Sequence, residues 1–125
     1  MNVDKQVAHW LNSAKEDWEV ACQLLETGKI RHGLFFVHLT IEKALKAIYT
    51  KRLAQVPPKI HRLEKLALMC GLSLDIEQIR ILGDVNAFNI VGRYADEDAA
   101  SVSGPFAIEL HEQAGIIYQW LIKQL

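Results

Sequence analysis

Apolar residues recur along the first half of the chain at alternating steps of three and four positions. They are Val7, Leu11, Ala14, Trp18, Ala21 and Leu25 in a first stretch, then Leu34, Val37, Ile41, Ala44 and Ile48 in a second. This spacing makes one face of an α-helix apolar, as in helices packed in a bundle. The pattern predicts one helix from about Asp4 to Thr27 and another from Lys29 or Ile30 to about Leu53.

The link between these two helices is very short. Gly28 is a typical left-handed residue for ending the first helix, so the two helices are predicted to form an antiparallel hairpin. Away from its apolar stripe the second helix carries Glu42, Lys43 and Lys46. We expect a charged edge there, with a helix ion pair between Glu42 and Lys46.

Turn-forming residues divide the second half of the chain. Pro57-Pro58 excludes helix, and Gly71 closes a short third helix predicted from about His61 to Cys70. Asp75 is a plausible N-cap for a fourth helix that runs to about Val91. A polar loop, 93–103, leads to Pro105 in the first turn of a fifth helix that reaches Ile122 or beyond. The predicted fold class is all-α, an up-and-down bundle of about five helices in one domain, 1–125.

The fifth helix has more apolar surface than one core requires. Beside its main stripe it carries Ile116 and Trp120, and the first helix likewise has Trp10 off its main seam. A second copy of the chain is the simplest partner for such surfaces, so we expect a homodimer. The alternative is a five-helix domain with an unusually wide apolar stripe.

Composition and charge narrow the classes of function. Of the 125 residues 23% are charged, and the net charge is −1, so any nucleic-acid contact must come from a local patch. Cys22 and Cys70 are expected to be buried free thiols, and no signal peptide or membrane-spanning run is evident, which favours the cytoplasm. The histidines and cysteines lack metal-ligand spacing, and the acidic run 96–98 fits a solvated loop better than a cation site. We expect neither a metal nor a cofactor.

The fourth helix places Asn86, Asn89 and Arg93 on one face. Carboxamides and a guanidinium in a row can recognise phosphate and base edges, because Arg donates in a fork and Asn both donates and accepts. The alternative is that the amides only lie on the helix surface and that Arg93 interacts with the helix dipole.

His61, Lys43 and Lys46 are the other candidate ligand contacts. A cleft histidine could hydrogen-bond a ligand or take a proton, and the two lysines could contact phosphate. The alternatives are a local hydrogen bond at the helix start for His61, and solvated side chains for the lysines. No residue is assigned a catalytic role.

Three blocks of the sequence resemble the HEPN-domain family, which consists of small helical bundles. They are Phe-Phe at 35–36 with Glu-Lys-Ala-Leu-Lys-Ala at 42–47, the Pro-x-x-x-His-x-Leu segment at 57–63, and Asn at 86 running into Arg-Tyr-x-Asp at 93–96. The resemblance implies binding of a nucleotide or nucleic acid. It also implies a protein partner, a separate minimal nucleotidyltransferase, in a toxin–antitoxin or regulatory pair.

Ribonuclease toxins that the same family includes carry Arg-x4–6-His, in which histidine shuttles a proton and arginine stabilises the phosphate. Here Arg93 is followed by no histidine in range, and three acids follow it instead. The literal match of Arg31 with His38 is interpreted as chance, with His38 buried. The sequence therefore favours a non-catalytic binding module, with a metal-independent ribonuclease and a ligand-free interaction module as alternatives.

Overall fold

The computed structural model of the protein describes residues 1–89 and 102–125. These residues form five helices, which confirms the predicted all-α bundle. The helices are α1 (Val3–Glu26), α2 (Ile30–Leu53), α3 (Leu63–Met69), α4 (Ile76–Asn86) and α5 (Gly104–Ile122).

Helix α2 is the centre of the bundle. It packs against α1, α3, α4 and α5, and all five residues of its predicted apolar stripe are buried. Helix α1 runs antiparallel to it, because Leu25 approaches Gly33 while Asp17, nearer the start of α1, pairs with Lys43, nearer the end of α2. A helix surrounded by four others has little room for a solvated edge. Charged residues in the middle of α2 are therefore enclosed by neighbouring elements.

Local signals for helix ends are confirmed. Gly28 and Gly71 adopt φ values of 81° and 78°, in the left-handed region that glycine enters without steric cost. Asp75 caps α4 by accepting from the backbone N–H of Gln78 at 2.7 Å, and the Gln78 side chain accepts in return from the N–H of Asp75. This reciprocal capping box satisfies donors that would otherwise lack a partner.

Two predicted helix boundaries were wrong. Helix α3 begins at Leu63, so His61 lies in the extended segment before the helix. Helix α4 ends at Asn86, and the chain as far as Asn89 continues with tighter backbone bonds from each N–H to the third carbonyl before it. Arg93 and the acidic run 96–98 lie outside the described residues.

The two apolar stripes predicted for α5 differ in burial. The main stripe is buried in the core and consists of Ala107, Leu110, Ala114, Ile117 and Leu121. By contrast, Ile116 is 73% exposed and Trp120 is half-buried. Trp10 of α1 is also half-buried. Cys70 is a buried free thiol and Cys22 a half-buried one. None of the helices within the described part of the chain combines the length and apolar composition needed to cross a membrane.

Candidate functional site

A buried carboxylate lies at the middle of α2. Glu42 is only 5% exposed, and its Oε2 accepts a hydrogen bond from Nζ of Lys46, which is also buried, at 3.1 Å. The predicted ion pair is present, but the predicted charged edge was wrong, since both partners are enclosed by neighbouring elements. Burying two charges is costly unless they are paired and hydrogen-bonded, so the remaining partners of Glu42 are important.

His61 supplies one of those partners from the segment between the proline pair and α3. Its Nδ1 lies 3.0 Å from Oε1 of Glu42, while 62% of its side chain is exposed. A carboxylate oxygen can only accept, so Nδ1 carries the hydrogen in this bond and Nε2 of a neutral His61 is left with the lone pair. Nε2 makes no hydrogen bond to any described residue. The result is a fixed imidazole that presents a proton acceptor to solvent.

His38 completes the cluster from one turn before Glu42. Its Nε2 donates to the backbone carbonyl of His61 at 2.9 Å, and the ring is 1% exposed, as the sequence predicts for this residue. Burial lowers the pKa of His38, against the opposing effect of Glu42, so the ring is neutral near pH 7. His38 therefore anchors the backbone of His61, and Glu42 fixes its side chain.

Helix α1 covers another side of the cluster. Nζ of Lys46 lies 5.4 Å from the centre of the Trp10 ring, within range of a cation–π interaction. The carboxylate of Glu42 and the ring of Trp10 thus hold the same ammonium group. Three elements contribute to the cluster, namely α1, α2 and the segment before α3.

The surface around His61 is locally basic. Residues 51–65 contain five Lys or Arg and one acid, a net charge of +4 in a chain whose total is −1. Lys59, Arg62 and Lys65 are exposed, although Arg62 pairs with Glu64 at 2.8 Å. Two of the five cations face elsewhere, since Nη1 of Arg52 donates to the carbonyl of Cys70 and Nζ of Lys51 donates to the carbonyl of Leu125. Lys59, Arg62 and Lys65 are therefore the exposed cations next to His61 in the chain, a local cluster that the overall charge could not reveal.

The HEPN domain model matches residues 7–125, nearly the whole chain. The chain belongs to the HEPN domain family. A solved structure with the same fold, the crystal structure of TT1696 from Thermus thermophilus, has a TM-score of 0.81 and 21% sequence identity, over 96% of this chain and 98% of that one. No curated protein matches this HEPN chain.

Lys43, a candidate ligand contact, has internal partners in this HEPN protein. Its Nζ lies 2.6 Å from Oδ2 of Asp17 and donates to Oγ of Ser13 at 2.7 Å. Both partners belong to α1, so Lys43 joins the two long helices. These contacts do not fit the alternative of a merely solvated side chain, and the ligand role of Lys43 stays a prediction.

Asn86 likewise contacts neighbouring residues of the HEPN fold. Its Oδ1 accepts from the backbone N–H of Leu63 at 3.0 Å, and its Nδ2 donates to the carboxylate of Glu64. Arg62, the N-cap residue of α3, makes no side-chain capping bond, so Asn86 satisfies this helix end from α4. Burial raises the pKa of Glu64, but hydrogen bonds, including the one from Asn86, outweigh it and bring that pKa below its usual value.

Of the other predicted ligand contacts, His61 and Lys46 lie together at Glu42, whereas Asn89 lies apart from them. Asn89 lies half-buried in the turn after α4, and its side chain makes no hydrogen bond to another described residue. The structure brings His61 and Lys46 together on opposite oxygens of Glu42. It does not bring Lys43 or Asn86 into that cluster.

Glu42 and His38 were missed as members of a site. A signal was present, because His38, Glu42 and Lys46 follow one another at intervals of four and so lie along one helix face. That row is next to the apolar stripe, which pointed to partial burial. Across residues 1–89 and 102–125, no three His, Cys, Asp or Glu side chains form a group suited to a metal ion.

Proposed function

We propose that this HEPN protein is a non-catalytic module that binds a phosphate-bearing ligand, a nucleotide or an RNA, at the surface around His61. The observation that carries the proposal is the exposed His61 ring held by the buried carboxylate of Glu42. A side chain fixed in advance loses little conformational freedom when it binds a ligand. The fixed ring is thus suited to a hydrogen bond with a ligand hydroxyl or a protonated phosphate.

Nearby cations support a phosphate ligand. Lys59 and Lys65 are exposed on either side of His61 along the chain, and neither has an acidic partner within ion-pair distance among the described residues. Arg62 has its guanidinium largely exposed while paired with Glu64. Arg93 and Asn89 remain predicted contacts, as do Lys43 and Asn86, which also have partners within the fold.

Titration of nucleotides and short labelled RNAs, read by calorimetry or fluorescence anisotropy, tests the proposal. His61→Ala and Lys59→Ala are each expected to weaken binding about tenfold, equivalent to one lost hydrogen bond for His61 and one lost ionic contact for Lys59. For RNA, Lys59→Ala should also lower the slope of log affinity against log salt by about 0.7. His32→Ala and Lys15→Ala, both exposed residues outside the 51–65 patch, serve as matched controls. Equal affinity of His61→Ala and the unchanged protein would refute the proposed site.

A metal-independent ribonuclease is the second candidate, and the hydrogen bond from His61 to Glu42 favours it. A carboxylate that fixes one imidazole nitrogen leaves the other ready to accept a proton, as a general base must. Cleavage of labelled RNA in the presence of EDTA should then disappear in His61→Ala and persist in the control His32→Ala. Cleavage that survives His61→Ala would exclude this role for the histidine.

Two partners belong to the proposal. A second copy of the chain is proposed to cover the α5 surface that carries Ile116, and light scattering of the unchanged protein and of Ile116→Glu tests it. A minimal nucleotidyltransferase is proposed as the partner in a toxin–antitoxin or regulatory pair. Co-purification from the native cell, followed by mass spectrometry, tests that association. If the protein binds neither nucleotides nor RNA in these titrations, the remaining function is an interaction module that acts without a ligand.

A further inference from the structure

Trp10 differs from the other two tryptophans of the chain in what surrounds it. Trp18 and Trp120 pack against the apolar core, whereas Trp10 is not among the described side chains that do so. Its indole ring lies 5.4 Å from Nζ of Lys46, and it meets the ring of His9 at a centroid distance of 5.5 Å. A tryptophan that is held by polar neighbours, away from the core, is available for contact with a ligand.

The part of the Trp10 ring that solvent reaches is the side away from Lys46. Lys46 is only 8% exposed, so the ring face against its ammonium is turned toward the interior of the bundle. The exposed surface of this half-buried side chain therefore belongs to the opposite face and to the ring edges. The ring of His9 is inclined at 66° to the indole, so it does not cover that face by stacking.

The exposed side of Trp10 adjoins the ligand surface proposed around His61. One buried ion pair lies between the two rings, because Nζ of Lys46 holds the indole and the carboxylate of Glu42 holds the imidazole. Within the pair, Nζ and Oε2 are 3.1 Å apart, and Oε1 accepts from His61 at 3.0 Å. A ligand whose phosphate lies at His61 can therefore extend to Trp10.

The chemistry of this surface favours a nucleobase as the group that covers Trp10. Proteins that bind single-stranded nucleic acid combine cations along the phosphate backbone with aromatic rings on which bases stack. Lys59 and Lys65 are exposed cations near His61 in the chain, and Trp10 supplies the ring. A second copy docked symmetrically over this surface would instead bring these lysines of both chains together, and contact between like charges is unfavourable.

We propose that a base of the bound nucleotide or RNA stacks on Trp10 while its phosphate contacts His61 and Lys59. The inference rests on the proposed ligand site at His61. It narrows the ligand to one with an unpaired base, so free phosphate and duplex RNA are poor ligands. Stacking tolerates any base because every base has a π face, so Trp10 adds affinity without selecting a sequence.

Adenosine 5′-monophosphate and ribose 5-phosphate are matched probes, because the second lacks only the base. In calorimetry the unchanged protein should bind the nucleotide at least about fivefold more tightly, which is the lower limit for one stacked base. Trp10→Leu should bring this ratio close to one by weakening nucleotide binding, with the affinity for ribose 5-phosphate unchanged. Trp10→Phe keeps an aromatic ring and should retain most of the ratio. The control Trp120→Leu, at a half-buried tryptophan of α5, should retain all of it.

Fluorescence gives a second readout, which a tryptophan with a purely structural role would not change. Adenosine 5′-monophosphate should quench the indole emission of the unchanged protein, and ribose 5-phosphate should not. The quenching should disappear in Trp10→Phe and persist in Trp120→Phe. Circular dichroism establishes that each variant is folded.

The outcomes separate the stacking role of Trp10 from the site at His61. If both probes bind equally, or if the ratio survives Trp10→Leu, the stacking role is overturned, while weaker binding of both probes by His61→Ala upholds the site. If neither probe binds the unchanged protein, the proposed function and the stacking role both fail. Conversion of a dimer into a monomer by Trp10→Leu, measured by light scattering, would overturn the inference by assigning the ring to a second copy.

Discussion

Glu42 accepts a hydrogen bond from Nδ1 of His61 at 3.0 Å, although one residue is buried in the central helix and the other is largely exposed. The bond joins the core of the bundle to the surface of the segment before α3. Lys46 occupies the second carboxylate oxygen at 3.1 Å, so the same carboxylate stabilises a buried cation and orients a surface ring.

Replacement of Glu42 by Gln is expected to destabilise the fold strongly. The substitution would leave the buried ammonium of Lys46 without its counter-ion, and breaking a buried pair costs about 3–5 kcal/mol. Urea denaturation at neutral pH measures the loss in the free energy of unfolding. Glu77→Gln is the matched control, because Glu77 pairs with Arg80 on the exposed surface of α4 and its loss should have no measurable effect. Equal stabilities of the two variants would contradict the assigned role of Glu42.

Acid should weaken the fold through His38. Burial lowers the pKa of this ring from its ordinary 6.5, so the unfolded chain takes up a proton at a pH where the folded protein does not. The contribution is fully present above about pH 6.5 and is lost as the pH falls below it, by at most about 1.4 kcal/mol per pH unit for one group. Burial lowers the pKa of His111 as well, so this ring adds to the loss of stability in acid.

Denaturation curves measured from pH 8 to pH 5 test this dependence. His38→Gln should have a shallower pH slope than the unchanged protein, while His111 preserves the rest of it. The control is His32→Gln, at an exposed ring on the first turn of α2, which should retain the full slope. An unchanged slope in His38→Gln would show that the buried ring does not cause the acid sensitivity.

Two glycines should respond to alanine with opposite signs. At Gly33 an added Cβ would lie 2.6 Å from Cγ of Leu25 and 3.3 Å from its backbone nitrogen, so α1 and α2 would have to separate. Such overpacking costs about 1–3 kcal/mol. At Gly83 nothing lies within 4 Å, so alanine should stabilise α4 by about 0.5–1 kcal/mol through its better helix propensity. Thermal unfolding of Gly33→Ala and Gly83→Ala measures both changes in stability. A Gly33→Ala variant that is more stable than the unchanged protein would contradict the close approach of α1 and α2.

The helices and most of their ends were predictable because their signals are local, although the start of α3 and the end of α4 were not. The three-four spacing that defines α1 and α2 lies within each helix, and the Asp75–Gln78 capping box spans four residues. The environment of Glu42 was not predictable in that way. Its partner His61 is 19 residues away, and the rotation of α2 about its axis is decided by the packing of four neighbouring helices. A helical row of charged residues is compatible with either a solvated edge or a buried cluster.

Asn86 illustrates the same difficulty at the candidate site. Its position near a helix end was predicted, but its hydrogen bonds depend on where the end of α4 lies relative to the start of α3. The sequence placed the amide with Asn89 and Arg93 as a ligand contact. The structure shows that it satisfies a backbone donor and a carboxylate of α3, and its role as a ligand contact stays a prediction.

Asn86→Ala is therefore expected to reduce stability by about 1–2 kcal/mol, since it removes a cap from α3 and one hydrogen-bond donor from Glu64. Asn12→Ala is the matched control, because Asn12 is an exposed amide on α1 and its loss should change stability little. Chemical denaturation measures both, and titration of the ligand well below the unfolding temperature separates folding from binding. Full stability of Asn86→Ala together with lost affinity would return Asn86 to the ligand surface. Reduced stability with unchanged affinity is the expected result, because the amide of Asn86 is already engaged by Leu63 and Glu64.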